Sequence, residues 1–356
     1  MTDSKLTLPS PELLTGGRAA PRASRRRLVA WYIVGGVVAV LGFLVPLVLR
    51  NVHWLDVLGQ GLVLGVAATG VGILVRQTGL VNFGAGAVFG GGAYLYAIAV
   101  LQLQIDMTLA FLLAMVGITV MAFLVGIITV RTGHLQFAIL TIAFASLLVQ
   151  FVLTQFARPV TGAADGKILQ QTGTFFGLSA KAMFQASTFW PVAWAAILIA
   201  VAVAIVVERS KLGRIARAIQ ENEERMLFAG YRVLWPKVAV FTIAGALGGL
   251  AGALTAMHYS FVSPSLLDIS SGGSILVAAL VGGPQSAFGP AIGAILYAIG
   301  EDAFGAAGRA DLLTGIGIIA AIVLLRRGFV GLIEDVVKLI RRGVAKTRKG
   351  SSRAEH

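Results

Sequence analysis

Apolar runs about as long as a bilayer is thick fill this sequence, and they restrict its fold more than any other feature. A hydrocarbon core of about 30 Å takes about 20 helical residues. Inside it every backbone N–H and C=O must find its partner within the chain, so helices and closed barrels are the only spanning forms. Between charges and turn residues the runs fall at 28–49, 55–75, 80–101, 107–130, 135–157, 188–207, 238–258, a glycine-broken 272–304, and 312–325. They are too long and too evenly apolar for the alternating, roughly ten-residue strands of a barrel. The expectation is an all-α, polytopic transmembrane helical bundle of about 8–10 spans. Charged residues make up 13% of the chain, against about a quarter in soluble domains. The 44 glycines, set against 10 prolines, suit helices that approach one another closely.

Lysine and arginine bias sets the orientation. With a cytoplasmic amino terminus, 24 of the 29 basic residues fall on the cytoplasmic side, and only Arg50, Arg158, Lys167, Lys181 and Arg309 fall outside. Both termini are then expected in the cytoplasm. The net charge of +13 sits in loops and tails between apolar runs, where it marks topology rather than nucleic-acid binding.

That orientation requires 272–304 to enter and return, because a single crossing would leave the most basic segment outside. The stretch 273–283 covers about 16 Å at 1.5 Å per residue before the turn Gly282-Gly283-Pro284-Gln285. A re-entrant, broken helix pair is expected; the alternative is a linker between two short full spans. Non-helical backbone at membrane depth is tolerated where protein or a water-filled cavity surrounds it.

Residues 1–27, with Pro9, Pro11, Gly16, Gly17, Pro21 and Arg25-Arg26-Arg27, are expected to form a disordered basic cytoplasmic leader. The run behind it exceeds a signal-peptide core, and Val48-Leu49-Arg50 offers no small-x-small cleavage site, so 28–49 is expected to stay as a first span. The membrane domain extends over 28–330. In 331–356, Ile333, Val336, Val337, Ile340 and Val344 oppose Lys338, Arg341 and Arg342, a basic amphipathic cytoplasmic tail suited to anionic lipid.

Residues for covalent chemistry are scarce. The absence of cysteine excludes disulfides, thiolate metal sites and thiol nucleophiles. His53, His134, His258 and His356 show no ligand spacing and no accompanying acid. Of 16 acids, Glu301 and Asp302 come close to lying within an apolar region, and they sit near its outer end, whereas ion-coupled transporters place ionisable groups near the midplane. The string nearest a phosphate loop, Gly162-Ala-Ala-Asp-Gly-Lys167, has the wrong spacing and no hydroxyl residue. No catalytic residue, metal or cofactor is expected in this chain, so a driving force must come from elsewhere. The pairs Gly61/Gly65, Gly86/Gly90, Gly245/Gly249, Gly248/Gly252 and Gly289/Gly293 are expected to pack helices within one chain rather than to mark a dimer face.

The longest polar stretch, within 208–236, is expected in the cytoplasm as a helix along the membrane surface. Ile215, Ile219 and Met226 fall near one stripe, and Glu221 and Arg225 make an i,i+4 pair. Gly230 suits a helix stop before Pro236. A plain connector with no partner is the alternative.

Four blocks, in order, carry a family resemblance. They are Gly79-Leu-Val-Asn-Phe-Gly-Ala-Gly-Ala-Val-Phe-Gly-Gly-Gly-Ala-Tyr94; Leu140-Thr-Ile-Ala-Phe144 followed by Thr161-Gly-Ala-Ala-Asp-Gly166; Ser210-Lys-Leu-Gly-Arg-Ile-Ala-Arg-Ala-Ile-Gln-Glu-Asn-Glu223; and Ala251-Gly-Ala253, Ser263-Pro264 and Gly282-Gly-Pro-Gln-Ser-Ala-Phe-Gly-Pro-Ala-Ile-Gly-Ala294. From Leu80 to Leu332 the chain resembles the permease subunits of branched-chain amino acid ATP-binding-cassette (ABC) importers, the Liv family, in its LivM branch. Ser146 stands where the family often has an acid, and Gly-Ala-Ala-Asp where Gly-Gly-x-Asp is usual. Relatives carry urea, amides and aromatic acids as well as leucine, isoleucine and valine.

The resemblance implies a gated pathway in the bacterial cytoplasmic (inner) membrane. Two ABC ATPase subunits would bind the ATP and Mg, a solute-binding protein would feed it from outside, and a second permease subunit would complete a heterodimer. It implies that 213–230 is a coupling helix, with Gly213, Arg214, Arg217, Glu221, Asn222, Glu223 and Gly230 at the ATPase. Asn82, Thr141, Gly282, Gly283, Pro284 and Gly289 are candidates for the pathway, although Asn82 equally caps a helix and Thr141 equally bonds back within its own. Thr161, Asp165 and Gly166 are candidates for binding-protein docking, or a plain turn. A stand-alone secondary transporter or channel is the competing class, and it would need a buried ion site.

Overall fold

The computed structural model describes residues 40–49, 51–305 and 316. By internal packing the chain divides into Met1–Val45 and Pro46–His356, and every helix named below belongs to the second unit. The expected leader over 1–27, the first span up to residue 39, the last span over 312–325 apart from residue 316, and the tail over 331–356 lie outside the described residues.

The principal helices are α1 (Val52–Thr78), α2 (Ala85–Leu103), α3 (Met107–Thr129), α4 (His134–Leu153), α5 (Ala186–Arg209), α6 (Lys211–Glu221), α7 (Glu223–Phe228), α8 (Leu234–Tyr259), α9 (Ile269–Gly282) and α10 (Gly289–Gly305). Six of them, α1 to α5 and α8, are long and apolar enough to cross a membrane. Among the described residues β structure is confined to two short antiparallel pairs, Lys167–Ile168 with Phe261–Val262 and Thr174–Phe175 with Leu178–Ser179. The chain is an all-α membrane bundle, as its sequence pattern requires.

Local chemistry sets the helix ends. Asn51 Oδ1 accepts from His53 N at 3.1 Å to open α1. Gly79 closes it in the left-handed region at φ 71°, where a side chain would be strained. The span expected at 80–101 begins as a helix only at Ala85, because Asn82 Oδ1 takes the Gly84 N–H at 2.9 Å and holds 79–84 out of the helix. The run expected to reach residue 157 stops at Leu153: Thr154 turns extended and its Oγ1 donates to Phe151 O at 2.7 Å.

Helix α1 lies at the centre, packed against α5, α6, α8, α9 and α10, and it is buried around most of its circumference. Between Gly61 and Val75 it accordingly has no polar face, since small and apolar residues occupy nearly every side there. Helices α3 and α4 are the most exposed spans, with Leu113, Val116, Val120 and Leu124 on the surface. Glycine permits the closest approaches. A Cβ on Gly61 would lie 3.1 Å from the Ala298 methyl, and one on Gly65 would lie 3.5 Å from that of Ala294, which seats α10 on α1. Gly92 meets Gly249, and Gly252 meets the Phe89 carbonyl, so α2 and α8 touch backbone to backbone. All five expected glycine pairs face neighbours within the same chain.

Asp106 ties α3 to the segment before α5. Its Oδ1 accepts from Thr174 N at 2.7 Å and its Oδ2 from Thr108 N at 3.2 Å. The Thr174 N–H is the largest influence holding this carboxyl below the usual carboxylate range. A depressed folded pKa contributes stability that is present above the unfolded value and lost as pH falls through the folded one. Asp106→Asn is therefore expected to flatten the acid-side fall of Tm, measured in detergent as a function of pH. An unchanged acid limb would show that Asp106 contributes nothing.

Candidate functional site

Two histidine–acid pairs fix the path of the broken region. His258 Nε2 lies 2.9 Å from Asp56 Oδ1, and His53 Nε2 lies 3.1 Å from Asp302 Oδ2. The end of α8 and the end of α10 thus meet the same end of α1. Between them the chain reaches Pro290, whose Cβ would be 3.5 Å from a Cβ on Gly72, about three quarters of the way along α1. The segment enters and returns to one end, as expected. Helix α9 has 14 residues, about 21 Å, and is short of a full span. It begins at Ile269, ahead of the expected 273, because Asp268 Oδ1 accepts from Ile269 N at 2.7 Å. The turn follows Gly282: Gly283 sits at φ 92° and Ser286 Oγ accepts from Gly289 N at 2.8 Å. Gly282, Gly289 and Gly293 stack backbone on backbone, with Gly283 and Ala278 carbonyls where side chains would go.

The pathway candidates lie in two tight seams. Asn82 and Thr141 are buried and share one with Gly84, Val125, Phe144 and Phe241, about 10 Å³ in volume. That is about the space of one water. Both polar groups already have local partners: Asn82 holds Gly84 N, and Thr141 Oγ1 donates to Ala138 O at 2.8 Å. The second seam, also about 10 Å³, lies where Pro284, Ser286 and Pro290 meet Thr69, Gly72 and Gln77. Gln77 Oε1 is buried there without a hydrogen-bond partner among the described residues. Neither seam admits a solute in this conformation.

At the Gly79 end of α1 the polar segment forms a corner. Ser210 Oγ accepts from Gly213 N at 3.1 Å and donates to Val207 O at 2.7 Å. Gly213 is buried, and a Cβ there would run into the Val207 carbonyl. Its lack of a side chain lets α6 fold back tightly on α5. The buried face of α6 is Gly213, Ala216 and Ile219, in place of the expected stripe of Ile215, Ile219 and Met226. The single helix expected over 213–230 is two, because Asn222 is extended at φ −159° and its Oδ1 caps α7 by accepting from Arg225 N at 2.8 Å. That break separates Glu221 from Arg225. Glu223 instead binds Lys237 Nζ at 2.7 Å, Glu208 pairs with Arg76, and Arg217 stands 4.0 Å from Glu208. Arg214 and Glu221 are exposed. Gly230, at φ 82°, ends α7 with its N–H on Leu227 O at 2.9 Å.

At the other end, Thr161 is buried and its Oγ1 reaches Val152 O at 2.8 Å and Ala157 O at 3.0 Å. Its hydroxyl is therefore tied into its own turn. Asp165 is exposed, 3.7 Å from Arg158, and Gly166, at φ 66°, packs against Val262 and Phe261.

A cavity of about 350 Å³ opens beside the two histidine–acid pairs. It is lined by both pairs and by Gln60, Glu301, Phe89 and Phe189, among others. His258 is buried, stacks on Phe189 with ring centroids 4.0 Å apart, and has Met183 O 2.9 Å from Nδ1. Sequence reasoning found no acid beside any histidine because Asp56 and His258 are 202 positions apart. The polar ends of 55–75 and 238–258, each carrying one ionisable residue, were the available signal.

Residues 53–325 match the family model described as the permease component of branched-chain amino acid transport systems. The chain is 24% identical over 313 residues to the high-affinity branched-chain amino acid transport system permease protein LivM of Salmonella typhimurium, covering 80% of this chain and 73% of that protein. It is 23% identical over 333 residues to LivM of Escherichia coli, covering 85% and 78%. No solved structure matches. Since the family model spans more than three quarters of its length, this multi-pass membrane chain belongs to the family of branched-chain amino acid transport permeases.

Proposed function

We propose that the chain is the membrane-spanning permease subunit of an ABC importer in the bacterial inner membrane. It passes branched-chain amino acids, or a related small solute, from a solute-binding protein to the cytoplasm. Two separate ATPase subunits bind ATP and Mg and drive it, and a second permease subunit completes a heterodimer. The basic-residue count supports a cytoplasmic location for α6 and α7 and an outer one for the cavity.

One observation carries this reading: the α6–α7 corner is both fastened to the spans and open to a partner. Glu223 of α7 pairs with Lys237 of α8, α6 packs on α1, and at the end of α5, where α6 begins, Glu208 pairs with Arg76 of α1. Outward it shows Leu227, Phe228, Tyr231 and Trp235, with Phe228 92% exposed, among the charges of Lys211, Arg214, Glu221 and Glu224. Large apolar side chains ringed by charge are the composition of a protein-docking surface. A push on this corner would travel through α1 to the seam at Gly72 and Pro290.

Arg217→Glu is the test. A glutamate beside Glu208 would replace attraction with repulsion on the ATPase-facing side without touching an apolar span. The expected result is normal membrane insertion with loss of the co-purifying ATPase and of ATP-driven uptake in proteoliposomes. Unimpaired uptake would defeat the coupling reading, and solute transport by this chain alone in ATP-free liposomes would move it to the secondary-transporter class.

A further inference from the structure

We propose that the cavity beside His53 and Asp56 is a solute-reception site for a small molecule bearing a cationic amino group and an apolar side chain, with Glu301 as its ammonium partner. The inference rests on the permease reading and adds a location and a chemical preference to it. Its first support is size. About 350 Å³ lies within the range of small-ligand sites and far exceeds the two seams below it.

Charge accounting gives the preference. Both nitrogens of His258 face oxygen acceptors, Met183 O at 2.9 Å and Asp56 Oδ1 at 2.9 Å. Asp56 therefore already has a side-chain partner in His258. Asp302 has His53 beside it at 3.1 Å. Glu301 lines the same cavity and has no hydrogen-bond or ion-pair partner among the described residues. Among the described residues the site therefore holds a carboxylate with no ion-pair partner, in a cavity also lined by the aromatic and aliphatic side chains of Phe89, Phe189, Val63 and Leu64. A carboxylate on a low-dielectric wall attracts a cation, while the wall takes apolar surface. Urea and simple amides offer neither a charge for Glu301 nor a side chain for the wall. An amino acid with a hydrocarbon side chain offers both.

The test uses the full-length chain in lipid nanodiscs and ligand-observed NMR titration with three probes of one carbon skeleton: L-leucine, isopentylamine and 4-methylpentanoate. Leucine and the amine are expected to bind and the acid is not. Glu301→Gln should weaken the first two about ten-fold, the scale of one charge-assisted hydrogen bond, and Glu301→Asp should restore most of the loss. If Glu301→Gln does not fold, Asp302→Asn, read by the same titrations, is expected to weaken the amine too. Binding of the acid as well as the amine, unchanged binding by the variants, or no binding to the wild-type chain at millimolar probe would overturn the proposal. Uptake by the assembled transporter separates the two readings. ATP-driven leucine uptake with an unchanged KM in Glu301→Gln defeats the site and leaves the permease standing, whereas absence of ATP-driven uptake in wild type defeats the permease reading itself.

Discussion

Gly213→Pro is expected to abolish ATP-driven uptake while the chain still accumulates in the membrane. Two effects combine at this position. The substitution removes the N–H that Ser210 Oγ accepts at 3.1 Å, a cap worth about 1 kcal/mol. It also places ring carbons where the Val207 carbonyl already lies, and overpacking against backbone costs a further few kcal/mol, roughly 1–3. The α5–α6 corner must open, which shifts Arg217 and Glu208 relative to Arg76. The change is confined to the end of α5 and the start of α6, so insertion and membrane abundance should match wild type while uptake falls to background. Uptake within about two-fold of wild type, a difference of under 0.5 kcal/mol, would mean that the corner does not transmit motion.

The second large effect is expected from Gly293→Leu. Gly293 packs on the Ala278 carbonyl and on Gly282, so any side chain must push α9 and α10 apart. Backbone atoms cannot rotate away as a side chain would, and overpacking of this kind costs about 3 kcal/mol, roughly 5–10 °C in Tm. Uptake should be lost together with thermal stability, and scanning fluorimetry of the purified Gly293→Leu protein measures the shift. A Gly293→Leu protein with wild-type Tm would show that the two half-helices do not pack as described.

Much of the bundle was legible because lipid leaves a chain few choices. Runs at 55–75, 107–130 and 238–258 correspond to α1, α3 and α8 with ends within about four residues, and the re-entrant pair followed from the charge count. The errors have local causes. Asn82, Asn222 and Asp268 each redirect a backbone N–H through a side-chain oxygen, which moved the start of α2, split the expected coupling helix and advanced the start of α9. Hydropathy carries no signal for such bonds. The site was less legible. Gly213 is held in a tight corner against Val207, Thr161 is tied into its own turn, and the cavity was missed altogether. His258, Asp56, His53 and Asp302 come from three separate helices, and Glu301 joins them only because α10 returns along α1. Pairings that exist only after folding are invisible to spacing along the chain.

The glycine-to-backbone contacts also bear on speed. Where Gly92 faces Gly249, Gly252 faces Phe89 and Gly282 faces Gly289, backbone meets backbone, so sliding at these points requires no rotamer to unlock and little configurational entropy to be given up. Such joints behave as low-friction bearings. Resistance to motion concentrates instead in the few polar fastenings at the two ends of α1: Arg76 with Glu208 at one, and Asp56 with His258 and His53 with Asp302 at the other. The turnover rate of such a machine is expected to follow how often those fastenings release, with the temperature dependence of breaking ion pairs rather than of repacking a core.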